Sequence, residues 1–197
     1  MADQGDTRGE HRRRRLADGA ACYLAGVVTV IALGLAIVAT GAFDVSASAP
    51  HIRVVGWALR TTMVNSVKAR AEPLPLEAPL DPAQVRAGFR IYDRECAPCH
   101  GGPGVPRDRW VSGLIPTPPY LIDASRRWTP GELFWIVRHG VKMTAMPAWC
   151  VQRSDAELKS VTAFLVALPA LTPEAYARLR AAEAAPPAAE APPPSSC

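Results

Sequence analysis

An uncharged apolar run is the most prominent feature of the N-terminal part of the chain. It extends over residues 19–43, between Asp18 and Asp44. As a helix that rises about 1.5 Å per residue, the run is long enough to cross a hydrocarbon core of about 30 Å. The pattern therefore predicts one transmembrane helix over residues 19–43.

A second, shorter apolar pattern follows in residues 51–71, which contain no proline. Its apolar positions recur at helical spacing, at Ile52, Val55, Leu59, Met63 and Val67. They predict an amphipathic helix that lies on the membrane surface, docks on the domain that follows or docks on a partner subunit. Residues 72–80 are rich in proline and predict a stiff linker.

Helix start signals mark a domain over residues 81–170. An N-cap aspartate, Asp81, precedes a proline at the first helical position. Glycine and proline are frequent from Gly101 to Pro119, which predicts irregular chain. Two further helices begin at capping boxes: Thr129 to Glu132 and Ser154 to Glu157.

The remaining pattern completes an all-α fold. Residues 172–185 predict a last exposed helix, and residues 186–197, rich in Ala and Pro, predict a disordered tail. We expect five parts in chain order: a basic tail (1–18), a transmembrane anchor (19–43), an amphipathic helix with its linker (44–80), the domain (81–170), and a short helix with the tail (171–197).

Charge gives the membrane span an orientation, because five arginines precede it: Arg8, Arg12, Arg13, Arg14 and Arg15. Basic residues favour the cytoplasmic side, so we expect the N-terminus there and the residues after Asp44 across the membrane. The competing interpretation is a signal peptide cleaved after Ala47-Ser48-Ala49. The apolar run exceeds the roughly 7–15 residues of such a peptide. Pro50 would also follow the cut directly, which disfavours cleavage.

The motif Cys96-Ala97-Pro98-Cys99-His100 carries the candidate chemistry. Two thiols at this spacing can add across the vinyl groups of one haem, and the adjacent imidazole can ligate its iron, so the motif predicts covalent attachment of haem c. A zinc site would need a second pair of ligands, and the other cysteines are isolated: Cys22, Cys150 and Cys197. A thiol redox pair is expected near a βαβ pattern, which this region lacks.

With this motif, residues 81–170 resemble a class I monohaem cytochrome c domain, and the whole chain resembles membrane-anchored bacterial monohaem cytochromes. The resemblance implies a small all-α fold around one haem c in the periplasm, tethered to the inner membrane. His100 would be the proximal ligand, and Met146, in Met146-Pro147-Ala148-Trp149, the sixth ligand.

The resemblance also implies two packing features. The first is a helix crossing at which Gly88, Phe89 and Tyr92 face Phe164 and Leu165. The second is a backbone carbonyl that holds the tautomer of His100, offered by Pro116, Pro118 or Pro119.

Other residues near the motif have open roles. Met143 is expected to pack beside the haem as an apolar filler, because Pro147 favours Met146 as the ligand. His139 is either an alternative ligand or a favourable charge at a helix C-terminus. Cys150 is expected to be a buried thiol, and Cys197 has no assigned role. Three residues of a basic loop are either solvated or reach the haem propionates: Arg107, Arg109 and Trp110.

The implied function is electron transfer rather than catalysis, with single electrons passing between respiratory or other membrane oxidoreductases. A complete His and Met ligand set leaves no open iron position, whereas the alternative, a haem enzyme or gas-binding sensor, needs one. Residues 81–180 carry 13 Lys and Arg against 9 Asp and Glu, which favours redox partners with an acidic face. We expect no small-molecule substrate, and the sequence shows no nucleic-acid-binding pattern.

Overall fold

The computed structural model describes residues 4–76 and 79–183. The tail predicted to be disordered, residues 186–197 with Cys197, lies outside the described residues. The chain divides into two compact units, residues 1–49 and residues 50–197.

The first unit contains one helix, α1, over Gln4–Thr40. By length and composition its part Gly9–Thr40 can cross a membrane, with a mean hydropathy of 2.5 and exposed apolar side chains. The helix begins within the basic segment and ends before Phe43. It ends at Gly41, whose φ of 67° is the left-handed conformation that commonly terminates helices.

In the part of the chain that the structure describes, the second unit consists of helices joined by irregular loops, with a single isolated β-bridge between Gly102 and Val105 and no strand. A π-helical turn, Tyr92–Cys96, joins the helix Pro82–Ile91 to the helix Ala97–His100. Two 3-10 turns precede and follow the helix Asp155–Ala167. The predicted all-α class, with one long apolar N-terminal helix, is confirmed. The helices are α2 (Arg53–Arg70), α3 (Pro82–Ile91), α4 (Ala97–His100), α5 (Ala124–Arg127), α6 (Pro130–His139), α7 (Asp155–Ala167) and α8 (Pro173–Glu183).

Side-chain caps explain where α3, α6 and α7 begin. The Asp81 carboxylate accepts hydrogen bonds from the backbone N–H groups of Ala83 and Gln84, at 2.9 and 3.3 Å. Both predicted capping boxes form, with Thr129 and Ser154 as the N-caps. These bonds satisfy N–H groups that the first turn of a helix leaves unpaired, so the sequence signals located these starts correctly.

The core lies where α3 crosses α7. A Cβ atom at Gly88 would overlap the carbonyl oxygen of Ser160 and lie 2.9 Å from the Phe164 Cβ. Only glycine therefore allows the two helices to approach so closely. Beside it, the Phe164 ring packs on Phe89 and Tyr92, with centroid distances of 5.5 and 5.0 Å. The predicted crossing face is confirmed.

The last helix, α8, packs on this core, so the prediction of an exposed helix is wrong. Tyr176 is completely buried, and its ring centroid lies 5.3 Å from that of Phe89. Its hydroxyl donates to Asp93 Oδ1 at 2.9 Å. Burial of an aromatic ring favours docking of the whole helix.

The amphipathic helix α2 contacts the domain through its C-terminal half. Val67 is 1% exposed, and a Cβ atom at Gly131 would overlap the carbonyl oxygen of Glu72. The start of the predicted linker therefore packs against α6. The sequence left three locations open for α2, and the structure shows that its C-terminal half docks on the following domain. The N-terminal half leaves four large apolar side chains exposed: Ile52, Val54, Trp57 and Leu59.

Candidate haem-binding site

The attachment motif lies on one continuous helical path. The π-helical turn carries Cys96, and the short helix α4 carries Cys99 and His100. The helix ends at Gly101, where φ is 66° and a Cβ atom would lie 2.8 Å from the Tyr120 ring. The Tyr92 hydroxyl donates to the Gly101 carbonyl at 2.7 Å in a buried bond, so both ends of the motif are fixed.

His100 is buried, and a hydrogen bond fixes its tautomer. Its Nδ1 lies 2.7 Å from the carbonyl oxygen of Pro119. A carbonyl only accepts, so Nδ1 donates and Nε2 keeps its lone pair in the neutral ring. Among the described residues nothing bonds Nε2. Burial and the nearby Arg107 lower the pKa of His100, although the hydrogen bond to Pro119 acts in the opposite direction. The lowered pKa favours the neutral ring, which is the form that binds a metal.

The carbonyl that accepts from His100 was predicted to belong to one of three prolines, and the structure selects Pro119. Arg107 holds the loop around it, because its Nη1 donates to the carbonyl of Pro118 and its guanidinium lies 4.2 Å from the centroid of the Tyr120 ring. Arg107 is thus engaged with the histidine-positioning loop, while Trp110 is exposed and donates to Asp108 at 3.3 Å.

The two motif cysteines are poor candidates for thiolate chemistry. Burial raises the pKa of Cys96 to about 12. Burial and Asp108 also raise the pKa of Cys99. Before attachment both groups are therefore neutral thiols near pH 7, unlike the low-pKa thiol of a redox pair. No group of three or more potential metal ligands from His, Cys, Asp or Glu occurs in the described part of the chain, which gives the zinc interpretation no support.

Met146 lies in a loop, and hydrogen bonds to residues that precede it in the chain hold its backbone. Its N–H donates to Thr144 Oγ1 at 3.1 Å, and its carbonyl accepts from Val141 at 3.2 Å. A Cβ atom at Gly140 would lie 2.6 Å from that same carbonyl oxygen. Met146 itself is half-buried.

Met143 differs from Met146 in both exposure and backbone. It is 92% exposed, and its φ of 61° lies in the left-handed region. It does not pack against the described residues, and its expected place beside the haem stays a prediction. The assignment of Met146 as an iron ligand stays a prediction.

The 3-10 turn that follows Met146 contains two notable side chains, those of Trp149 and Cys150. Trp149 Nε1 is a buried donor without an acceptor among the described residues. Cys150 is completely buried, as expected, but it is disulfide-bonded, so the prediction of a thiol is wrong.

His139 does not carry the favourable charge that its position suggested. Its Nε2 lies 3.1 Å from Arg138 Nη1. Partial burial and the Arg138 charge lower the pKa of His139, although Asp155 acts in the opposite direction. The neutral ring is therefore favoured, and it packs on Trp135 at a centroid distance of 5.0 Å.

The match to a known family agrees with this geometry. Residues 83–165 match the family model described as "Cytochrome C oxidase, cbb3-type, subunit III". These residues form a c-type cytochrome domain. The matched part of the cytochrome domain begins in α3, contains the attachment motif and Met146, and ends in α7. No curated protein and no solved structure gave a significant match to the chain.

The residues present fit haem c. The cytochrome domain offers two thiols on adjacent turns of one helix and a buried neutral imidazole whose Nε2 is not engaged by the described residues. Sequence reasoning missed two further contacts of this helix, from Arg153 to Glu95 and from Tyr176 to Asp93. Both link residues far apart in the chain, and no local pattern indicates either.

Proposed function

We propose that this chain is a membrane-tethered c-type cytochrome that carries single electrons between membrane oxidoreductases. One haem c would be attached through Cys96 and Cys99, since the sequence contains a single Cys-x-x-Cys-His motif. His100 and Met146 would ligate the iron from opposite sides. The observation that carries this proposal is the 2.7 Å bond from His100 to Pro119, which reserves Nε2 for a metal.

The chain's own residues would set how readily the site accepts an electron. The haem iron supplies a one-electron couple. The hydrogen bond from His100 to Pro119 raises the basicity of the imidazole, which favours the oxidised iron. The Met146 thioether favours the reduced iron and raises the potential.

Binding of carbon monoxide tests the carrier against the alternative, a haem enzyme or gas-binding sensor. If His100 and Met146 both ligate, the reduced protein has no open position and binds carbon monoxide only where Met146 is displaced. We expect no spectral change when carbon monoxide is added to the reduced wild-type protein. Immediate, complete binding would favour the alternative.

A fixed subunit of an oxidase complex is the second candidate, favoured by the name of the matched family. In both cases the excess of basic over acidic residues in residues 81–180 favours a partner with an acidic face. Gentle detergent extraction separates the candidates. Stable co-purification of an oxidase would identify a subunit, whereas a cytochrome recovered alone would favour a tethered carrier.

The tether and its orientation are also part of the proposal. The apolar part of α1 would cross the bacterial inner membrane, with the arginines that precede this part in the cytoplasm and the cytochrome domain in the periplasm. Covalent attachment of haem c suits that compartment. The tether would then confine the cytochrome domain to the membrane surface, so its partners would be proteins in or at the same membrane.

A further inference from the structure

Arg153 joins the haem-attachment segment to the segment that follows Met146. Its guanidinium donates from Nε to Glu95 Oε2 at 3.2 Å and from Nη2 to Glu95 Oε1. Its Nη1 donates to Glu157 Oε1 at 2.9 Å. Glu95 directly precedes Cys96, so one side chain connects the two parts of the cytochrome domain. We refer to Glu95, Arg153 and Glu157 as the clamp.

The clamp is more enclosed than an ordinary surface ion pair. The side chains of Arg153 and Glu95 are each 15% exposed, and that of Glu157 is 19% exposed. The two-pronged contact with Glu95 uses the planar geometry of arginine, which lysine cannot reproduce. A partly buried charge that loses its partner is costly, so the clamp resists separation of the segments. Arg94 also contacts Glu95, at 3.2 Å, but its side chain is 66% exposed.

A stiff stretch of chain connects Arg153 to Met146. The Arg153 N–H donates to the Trp149 carbonyl at 2.9 Å, within the 3-10 turn Trp149–Val151. Cys150 in this turn is completely buried. Pro147 restricts the backbone next to Met146. A shift of the clamp would therefore be passed to Met146 rather than absorbed by a flexible loop.

We propose that Arg153 is a positioning residue for the axial methionine. The clamp holds the Met146 segment at a fixed place relative to the attachment helix, and so determines how firmly the Met146 sulfur stays on the iron. This inference rests on the proposed function, in which Met146 is the sixth ligand. Arg153 acts through the backbone and Glu95, without touching the iron.

Competition by imidazole measures this effect in the full-length, haem-loaded protein in detergent. Added imidazole binds the oxidised iron only when it displaces Met146, and its binding removes the sulfur-to-iron charge-transfer band. We expect Arg153→Gln to raise the apparent imidazole affinity by about tenfold, within the range of typical coupling between linked sites. Arg153→Lys keeps the charge without the two-pronged contact and should give an intermediate increase.

Two further variants distinguish positioning from general stabilisation. In Arg153→Gln combined with Glu95→Gln, the affinity should rise no further than in Arg153→Gln alone, because both changes break the same contact. Arg180→Gln is the matched control. Arg180 pairs with Asp93 at 3.0 Å on the same π-helical turn, but it links that turn to α8. Its loss should leave imidazole affinity unchanged.

Each outcome is decisive. An unchanged affinity in Arg153→Gln, or an equal rise in Arg180→Gln, would overturn the positioning role. If Arg153→Gln fails to incorporate haem, the Arg153→Lys protein decides, since an affinity equal to wild type would also overturn it. A wild-type protein without the charge-transfer band would instead refute Met146 ligation, and with it the proposed function, whatever Arg153 does.

Discussion

His100 shows how one hydrogen bond prepares a side chain for metal binding. The carbonyl of Pro119 can only accept a hydrogen bond, so it selects the tautomer in which Nε2 keeps its lone pair and is available as a ligand. That carbonyl is held in turn, because Arg107 donates to Pro118 and packs on Tyr120. A basic residue that the sequence suggested for the haem propionates therefore supports the position of His100.

The identity of the sixth ligand gives a first prediction. Met146→Ala should abolish the sulfur-to-iron charge-transfer band of the oxidised protein, lower the reduction potential and open the reduced iron to carbon monoxide. Met146 is half-buried, and its backbone is hydrogen-bonded to Val141 and Thr144, so the segment that carries the sulfur is held in place. Visible spectroscopy and a redox titration measure the changes.

Met143→Ala is the control for this substitution, since Met143 is 92% exposed. It should retain the band and the potential. A band that survives Met146→Ala but disappears in Met143→Ala would reverse the assignment.

Glu157 gives a prediction about pH. Burial alone would raise the pKa of Glu157, but hydrogen bonds from Ser154 and Arg153 outweigh it and lower the pKa. The unfolded chain then binds this proton more readily than the folded one. The ionised carboxylate therefore stabilises the fold above the ordinary range of glutamate, and this contribution is lost as the pH falls through the lowered pKa.

Denaturant unfolding of wild type and Glu157→Gln at several pH values checks this sign. The variant should be less stable by about 1 kcal/mol at pH 7, a modest value because the site is partly exposed. The difference should disappear at the lowest pH at which both proteins still fold. A difference that stayed constant across the pH range would show that the carboxylate charge contributes nothing.

The crossing of α3 and α7 is the contact on which the domain depends most. It brings the helix that leads into the attachment motif against the helix that follows the Met146 segment. The contact requires the absence of a side chain at Gly88. Three aromatic rings pack beside it in edge-to-face and tilted arrangements, those of Phe89, Tyr92 and Phe164. Docking of α8 through Tyr176 extends the same aromatic cluster.

Gly88→Ala tests this contact. The added methyl group would overlap the Ser160 carbonyl, so the helices must separate, and we expect a loss of about 3 kcal/mol in the free energy of unfolding. Chemical denaturation of the haem-loaded protein measures it.

Gly113→Ala provides the comparison, because no atom lies within 4 Å of a Cβ there. Its stability should stay within about 0.5 kcal/mol of wild type. Equal losses of stability in the two variants would mean that the close approach of α3 and α7 is not the cause of the loss in Gly88→Ala.

The chain combines an apolar helix with a cytochrome domain, and its membrane association gives a last prediction. We expect the mature protein to retain residues 19–43 and to stay in the membrane fraction after an alkaline wash. The apolar surface of α1 is exposed over its length, and burying it in lipid is strongly favourable. N-terminal sequencing and fractionation measure both. A soluble mature chain that begins near Pro50 would establish cleavage instead.

The sequence by itself determined the features that depend on neighbouring residues. The apolar run, the haem-attachment motif, the Asp81 cap and the two capping boxes all involve groups a few positions apart, so their geometry follows from helix geometry alone. The crossing of α3 and α7 was found through resemblance to a family. These features are enough to indicate the fold class, the cofactor and the order of the parts.

Only the tertiary structure decided which distant groups meet. It selected Pro119 from three prolines and buried Tyr176 against Phe89. It also placed Arg153 beside Glu95, 58 positions away in the chain. Such contacts depend on the path of irregular loops and on the matching of whole helix surfaces, which no short pattern encodes. The disulfide-bonded Cys150 was mispredicted for the same reason, because bonding at that position depends on the packed chain around it.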